Sequence, residues 1–298
     1  MNPAQRARHM DVSDTVDVTD PTAVAVALRA ILDKRYPAFD FSLVDQLVAD
    51  FGRLYTGEYP GYRACDISYH NIQHVLDVTL AMARLIDGHD GSCAGKDQLG
   101  AELALTGIAC ALFHDSGYIR RKGDNRHNNG AAYTRIHVSR SVRFMAEYLP
   151  SVGLQSILPM CRRIVRFTSY EVDPGEIKVR SDKERLLGAL LGTADLIAQM
   201  ADVEYARKCR DNLYVEFEAG GMAGEGGEEG YGGTVFRSPQ HLLESTPHFI
   251  RTAIEVRLDG YFNGVYRYAA EHFKGPNLYM DAIYHNCREL ELSLAAET

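Results

Sequence analysis

The chain has 298 residues, 46% of them hydrophobic and 24% charged, with a formal net charge of -8. That length and balance suffice for a sizeable buried core, and the acidic excess argues against a general nucleic-acid binder. No apolar run reaches the roughly 18 residues a membrane span needs, and no signal peptide opens the chain. The expectation is therefore a cytoplasmic protein with neither nucleic acid nor membrane as partner. An anionic small molecule stays compatible with the charge, because bound cations can dominate a local field. The six cysteines are scattered without a CxxC pair and read as reduced thiols.

Residues 1–20 are polar and are expected to form a flexible N-terminal arm outside the fold, with one domain over 21–298. Asp20-Pro21 marks a helix start leading to Leu32, and Phe41 to Tyr55 repeats the helical spacing of apolar residues. After the punctuation of Gly57 to Tyr62, a helix carrying His70 and His74 is predicted to run to about Ile86, then a loop from Asp87 to Gly95. Glu102 to His114 is almost wholly apolar and reads as a buried central helix. The basic stretch from Ile119 to Asn129 reads as a loop over the site. Further helices are expected over Ala131–Tyr148, Leu154–Phe167, Asp182–Ala201 and Tyr205–Glu218. The segment 219–233 is too rich in glycine and glutamate to bury anything and is expected to be a mobile loop. Two or three C-terminal helices follow over 239–294. No alternating strand pattern of useful length occurs, so the predicted fold class is all-α.

Chemistry concentrates in three places. His70 and His74 stand four residues apart, with Asp77 three further on, so a helical run would align them along one face. His114-Asp115 closes the apolar central helix, and Asp195 is surrounded by leucine, isoleucine and alanine on another. A buried carboxylate is costly unless it is paired or bound to a cation. Two such carboxylates with histidines upstream suggest a shared divalent ion. Imidazole nitrogens with carboxylate oxygens suit borderline first-row metals, whereas carboxylates alone suit magnesium.

The order His74, His114-Asp115, Asp195 resembles the H…HD…D signature of the HD-domain metal-dependent phosphohydrolases. The decapeptide YHNIQHVLDV resembles the YHNxxHAxDV motif of class I cyclic-nucleotide phosphodiesterases, with Val75 in place of the alanine. The resemblance covers roughly residues 65–215. It implies a phosphodiesterase that opens a cyclic nucleotide with a hydroxide activated on one or two divalent ions, of the set Mn, Fe, Mg, Zn or Ni. His74, His114, Asp115 and Asp195 would hold the first ion, Asp115 would also bridge to a second, and His70 would be the general acid. Asn71 and Asp77 would orient the histidines.

The phosphodiesterase pattern carries a further histidine just after its central pair, which is absent here. His137, at the start of an apolar helix, is the compensating candidate, as a ligand or a holder of water. Arg121, Lys122 and Arg126, beside Arg120, are candidates to hold the substrate phosphate. Two other activities stay open: a phosphatase for linear nucleotides, and, in a different class, a di-iron oxygenase of the same architecture. The expected partner is a small-molecule nucleotide, with homodimerisation as an option.

Overall fold

The computed structural model describes residues 6–224 and 235–296. Twelve α-helices form: α1 Pro21–Arg35, α2 Ser42–Thr56, α3 Ile72–Ser92, α4 Ala101–Phe113, α5 His137–Ser151, α6 Leu158–Ile164, α7 Asp182–Ala201, α8 Tyr205–Lys208, α9 Tyr214–Ala219, α10 Pro239–Thr252, α11 Tyr268–Phe273 and α12 Leu278–Ala296. Among the described residues there is no β-strand, only isolated bridges such as Tyr62 with Arg121. The all-α expectation holds. No single described helix is long and apolar enough to cross a membrane.

α3 is the central beam, packed against α1, α4, α7 and α11. Its Val75, Leu76, Leu80, Leu85 and Ile86 are wholly buried. It continues to Ser92, where the sequence suggested a loop from Asp87. Tertiary packing overrides the weak helix propensity of that glycine- and aspartate-rich end. Gly88 is part of the reason, because a Cβ there would lie 1.8 Å from the carbonyl oxygen of Tyr268. Only glycine lets α11 approach so closely. α4 is buried on all sides from Ala104 to Phe113, as its unbroken apolar run requires. The helix expected over Ala131–Tyr148 runs over His137–Ser151, with Pro150 inside its last turn.

Residues 6–20 are not an arm outside the fold. Val18 joins the core at 1% exposure, Arg6 donates to the Ala201 carbonyl, and Asp11 is fully buried. Asp11 accepts from the Ser13, Thr15 and Val16 amides while pairing with Arg84 of α3. Arg84 also donates to the Tyr279 hydroxyl at 2.9 Å, so a buried cation ties the N-terminal segment to α12. Burial opposes charge on Asp11, but Arg84 and those donors outweigh it and hold its pKa at about 2. Of the glycine- and glutamate-rich stretch, 225–233 lies outside the described residues.

Candidate metal centre

Asn71 fixes where α3 begins. Its backbone is extended, its Oδ1 accepts from the His74 amide at 3.2 Å, and its Nδ2 donates to the Ser68 carbonyl at 2.8 Å. Asparagine favours this capping role, so the helix starts at Ile72 and His70 lies before it. The two histidines therefore do not share a helical face, as their spacing suggested. Their rings still meet edge to face, with centroids 5.5 Å apart.

His74 on the first turn of α3, His114 and Asp115 just past α4, and Asp195 on α7 converge on one point. His74 Nε2 lies 3.5 Å from Asp115 Oδ2 and 3.4 Å from Asp195 Oδ1. His114 Nε2 lies 3.3 Å and 3.8 Å from the same two oxygens. His74 Nε2, His114 Nε2 and Asp115 Oδ2 are buried with no hydrogen-bond partner. Buried polar atoms are almost always paired, so three orphans pointing at one another need a common partner. A divalent cation fits: ligand atoms of His74, His114 and Asp115 lie within 4.8 Å of one another, and Asp195 closes the set.

The histidines are oriented for this role. His114 Nδ1 donates to the Ala111 carbonyl at 2.8 Å, which leaves Nε2 with its lone pair inward. His137 does the same through the Thr134 carbonyl at 2.5 Å. Its Nε2 faces the other oxygen of Asp115, Oδ1, at 3.6 Å. Asp115 thus turns one oxygen to the His74 cluster and the other to His137, the geometry a bridging carboxylate needs. Burial lowers the pKa of His137 against the pull of Asp115, which favours the neutral imidazole. Burial also opposes charge on His74, yet Asp115 and Asp195 outweigh it and lift its pKa to about 10. The two carboxylates therefore demand positive charge at this point.

A second unit adjoins the centre. His70 Nδ1 donates to Glu216 Oε2 at 2.6 Å, and Glu216 Oε1 accepts from the backbone amides of Tyr69 and His70. Glu216, on α9, is only 2% exposed. The Tyr118 ring packs against both His70 and His137, with centroids 4.7 Å and 4.6 Å away and planes within 17° and 13°, and the two imidazoles themselves lie 6.5 Å apart. His70 is thereby held beside the cluster, with Nε2 as its unspoken nitrogen. Neither Glu216 nor Tyr118 was singled out from sequence. A buried glutamate on an amphipathic helix and a tyrosine after a turn have no local signature.

His70, Asp115, His137 and Asp195 open into a cavity of about 140 Å³ whose far wall is aromatic, with Tyr170, Phe217, Phe236 and Phe249. The expected phosphate-binding side chains are not there. Arg121, Lys122 and Arg126 line a different cleft. Arg121 pairs with Glu147, and Arg126 with Asp124 at 3.0 Å. Arg120 is buried, donating to Asp66 and to the His127 carbonyl, as a staple of its own loop. The loop turns away because the bridge between Tyr62 and Arg121 anchors it beside the Gly57–Tyr62 turn. Asn71 orients His74 through its backbone. Asp77 is half-buried beside His74, its Oδ1 is buried without a partner, and desolvation raises its pKa to about 7.

His89, Asp90 and Cys93 form another close group. Asp90 is already spent there, accepting from Tyr36 Oη at 2.7 Å and the Leu99 and Gly100 amides at 2.8 and 2.9 Å. It anchors the start of α4. The chain matches no known family model and no curated protein.

Proposed function

We propose that the chain is a cytoplasmic, metal-dependent phosphohydrolase of the HD-domain kind, a phosphodiesterase acting on a cyclic nucleotide. The observation that carries this reading is the set of three orphaned, buried ligand atoms on His74, His114 and Asp115 beside the His70–Glu216 pair. His74, His114, Asp115 and Asp195 would hold the first divalent ion, and Asp115 with His137 would serve a second. When bound, such ions supply an activated water and neutralise phosphoryl charge.

The protein's own groups do the rest. His70, its Nδ1–H committed to Glu216, would carry a second proton on Nε2 and deliver it to the leaving oxygen, returning to the neutral ring. An alkoxide leaves poorly, so a proton donor within reach of it matters. Tyr118 packs against both the His70 and His137 rings and so helps to hold the acid beside the metal ligands. The wall of Tyr170, Phe217, Phe236 and Phe249 offers apolar faces to a planar base, while the polar end of the cavity receives the phosphate.

The test is hydrolysis of cyclic mononucleotides, cyclic dinucleotides and linear mononucleotides by the purified chain, each with Mn, Fe, Mg, Zn and Ni. Cleavage of a cyclic nucleotide with at least one ion is expected. Turnover of linear mononucleotides alone would favour the phosphatase reading. Failure on every phosphoester with every ion would sink the proposal.

A further inference from the structure

The basic loop that faces away from the metal centre builds a site of its own. The turn after α4 is a wall with two faces. Asp115 and Tyr118 line the aromatic cavity, whereas Ser116, Gly117 and Ile119 line a cleft of about 620 Å³ on the other side.

Its charge is the opposite of the chain's. Arg121, Lys122, Arg126, Arg140 and Arg143 line it, with Asp124 the one carboxylate among the lining residues, in a protein of net charge -8. Some of these cations are committed. Arg121 reaches Glu147, and Arg126 reaches Asp124. Arg140 donates from Nε to the Gly117 carbonyl at 2.6 Å and stacks 3.7 Å above the Tyr133 ring. Lys122 and Arg143 make no ion pair among the described residues. Like charges crowded into a concave surface repel one another and focus a positive field into it. An anion there relieves that repulsion. The cleft also has an aromatic edge, where Tyr62 and Phe144 meet edge to face at 5.4 Å.

We propose that this cleft is a second, separate binding site for a small ligand carrying a diphosphate group, gripped by Lys122 and Arg143. Guanidinium forks and ammonium groups match phosphate oxygens in geometry and charge. A diphosphate carries enough negative charge to offset both uncommitted cations, which a single carboxylate does not. Concavity favours a small molecule over a flat polyanionic surface. The inference does not depend on the reaction at the metal centre.

The test is titration calorimetry of the full chain with inorganic pyrophosphate, and in a second arm with a nucleoside diphosphate. The variants are Lys122→Gln/Arg143→Gln, both on exposed side chains, and His114→Ala at the metal centre. Wild-type chain is expected to bind pyrophosphate, less tightly as salt rises. The Lys122→Gln/Arg143→Gln variant should bind roughly tenfold or more weakly, and His114→Ala as wild type. Melting curves matched to wild type exclude a folding defect in the double variant. Tighter binding of the nucleoside diphosphate would show that the cleft also holds the nucleoside, and equal binding would assign the site to the phosphates alone. Binding unchanged in the double variant, or lost only in His114→Ala, overturns the proposal, as does the absence of any binding of pyrophosphate by the wild-type chain.

Discussion

Glu216 Oε2 accepts a hydrogen bond from His70 Nδ1 at 2.6 Å, across 146 residues of chain. The contact commits one imidazole nitrogen and leaves the other to the cavity. It also fixes the ring plane, because Glu216 Oε1 is anchored on the amides of Tyr69 and His70. In the proposed reaction His70 would act as the imidazolium, with Glu216 balancing its charge and fixing the direction of Nε2–H.

The first prediction follows from that role. His70→Ala should keep its metal and lose roughly 10²–10⁴-fold in turnover of a cyclic nucleotide, the usual range for general acid catalysis. A nitrophenyl phosphodiester expels a stable phenolate and should lose far less. Equal losses on both substrates, with metal loss, would make His70 a ligand or a support.

Glu216→Gln probes the partner. The amide keeps the size but sets an N–H against one of the donors that Glu216 now satisfies. Turnover of the cyclic nucleotide should drop about 10–100-fold with metal content unchanged, as is usual for groups that orient a functional histidine. Undiminished turnover would show that His70 is positioned without it.

Asp115→Ala removes the carboxylate that faces both the His74 cluster and His137. Elemental analysis should find the metal gone and assays should find no hydrolysis. Full metal and full activity in this variant would refute the metal assignment.

The fourth prediction concerns acid stability. Asp11 titrates at about 2 in the folded chain against the ordinary 3.8. A depressed carboxylate stabilises the fold above its unfolded pKa, and that stability drains as pH falls through the folded value. The shift is worth about 2 kcal/mol, present above pH of about 4 and lost towards pH 2. Asp11→Ala should cost more, about 3–5 kcal/mol at neutral pH, because it strands the buried Arg84. Denaturant melts of both proteins from pH 7 to pH 3 check it. A variant as stable as wild type would mean that residues 6–20 contribute nothing to the fold.

Gly88→Ala tests the α3–α11 approach. The added methyl meets the Tyr268 carbonyl at 1.8 Å, so the helices must separate. Overpacking of this kind costs about 1–3 kcal/mol, read as a lower melting temperature. An unchanged melting temperature would show that α11 yields freely.

The helices and the metal cluster were legible because their signals are local. Apolar periodicity marks α2, α4 and α7, and a charged residue inside an apolar run marks Asp115 and Asp195. What escaped depends on chain folding back. The polar residues before Asp20 looked like an arm because nothing near them shows that Arg84 awaits Asp11 inside the core. The basic loop looked like a phosphate grip because sequence gives its charge but not the side of the turn it faces. His70 looked helical because the capping power of Asn71 was outweighed by the appeal of the four-residue spacing.

The placement of Glu216 has a consequence for how the protein comes into being. By the time Asp195 has left the ribosome, every residue of the proposed first ion site has been made, whereas the partner of His70 is still inside. If the proposal holds, the ligands of the ion are complete in the chain before its proton donor has a partner.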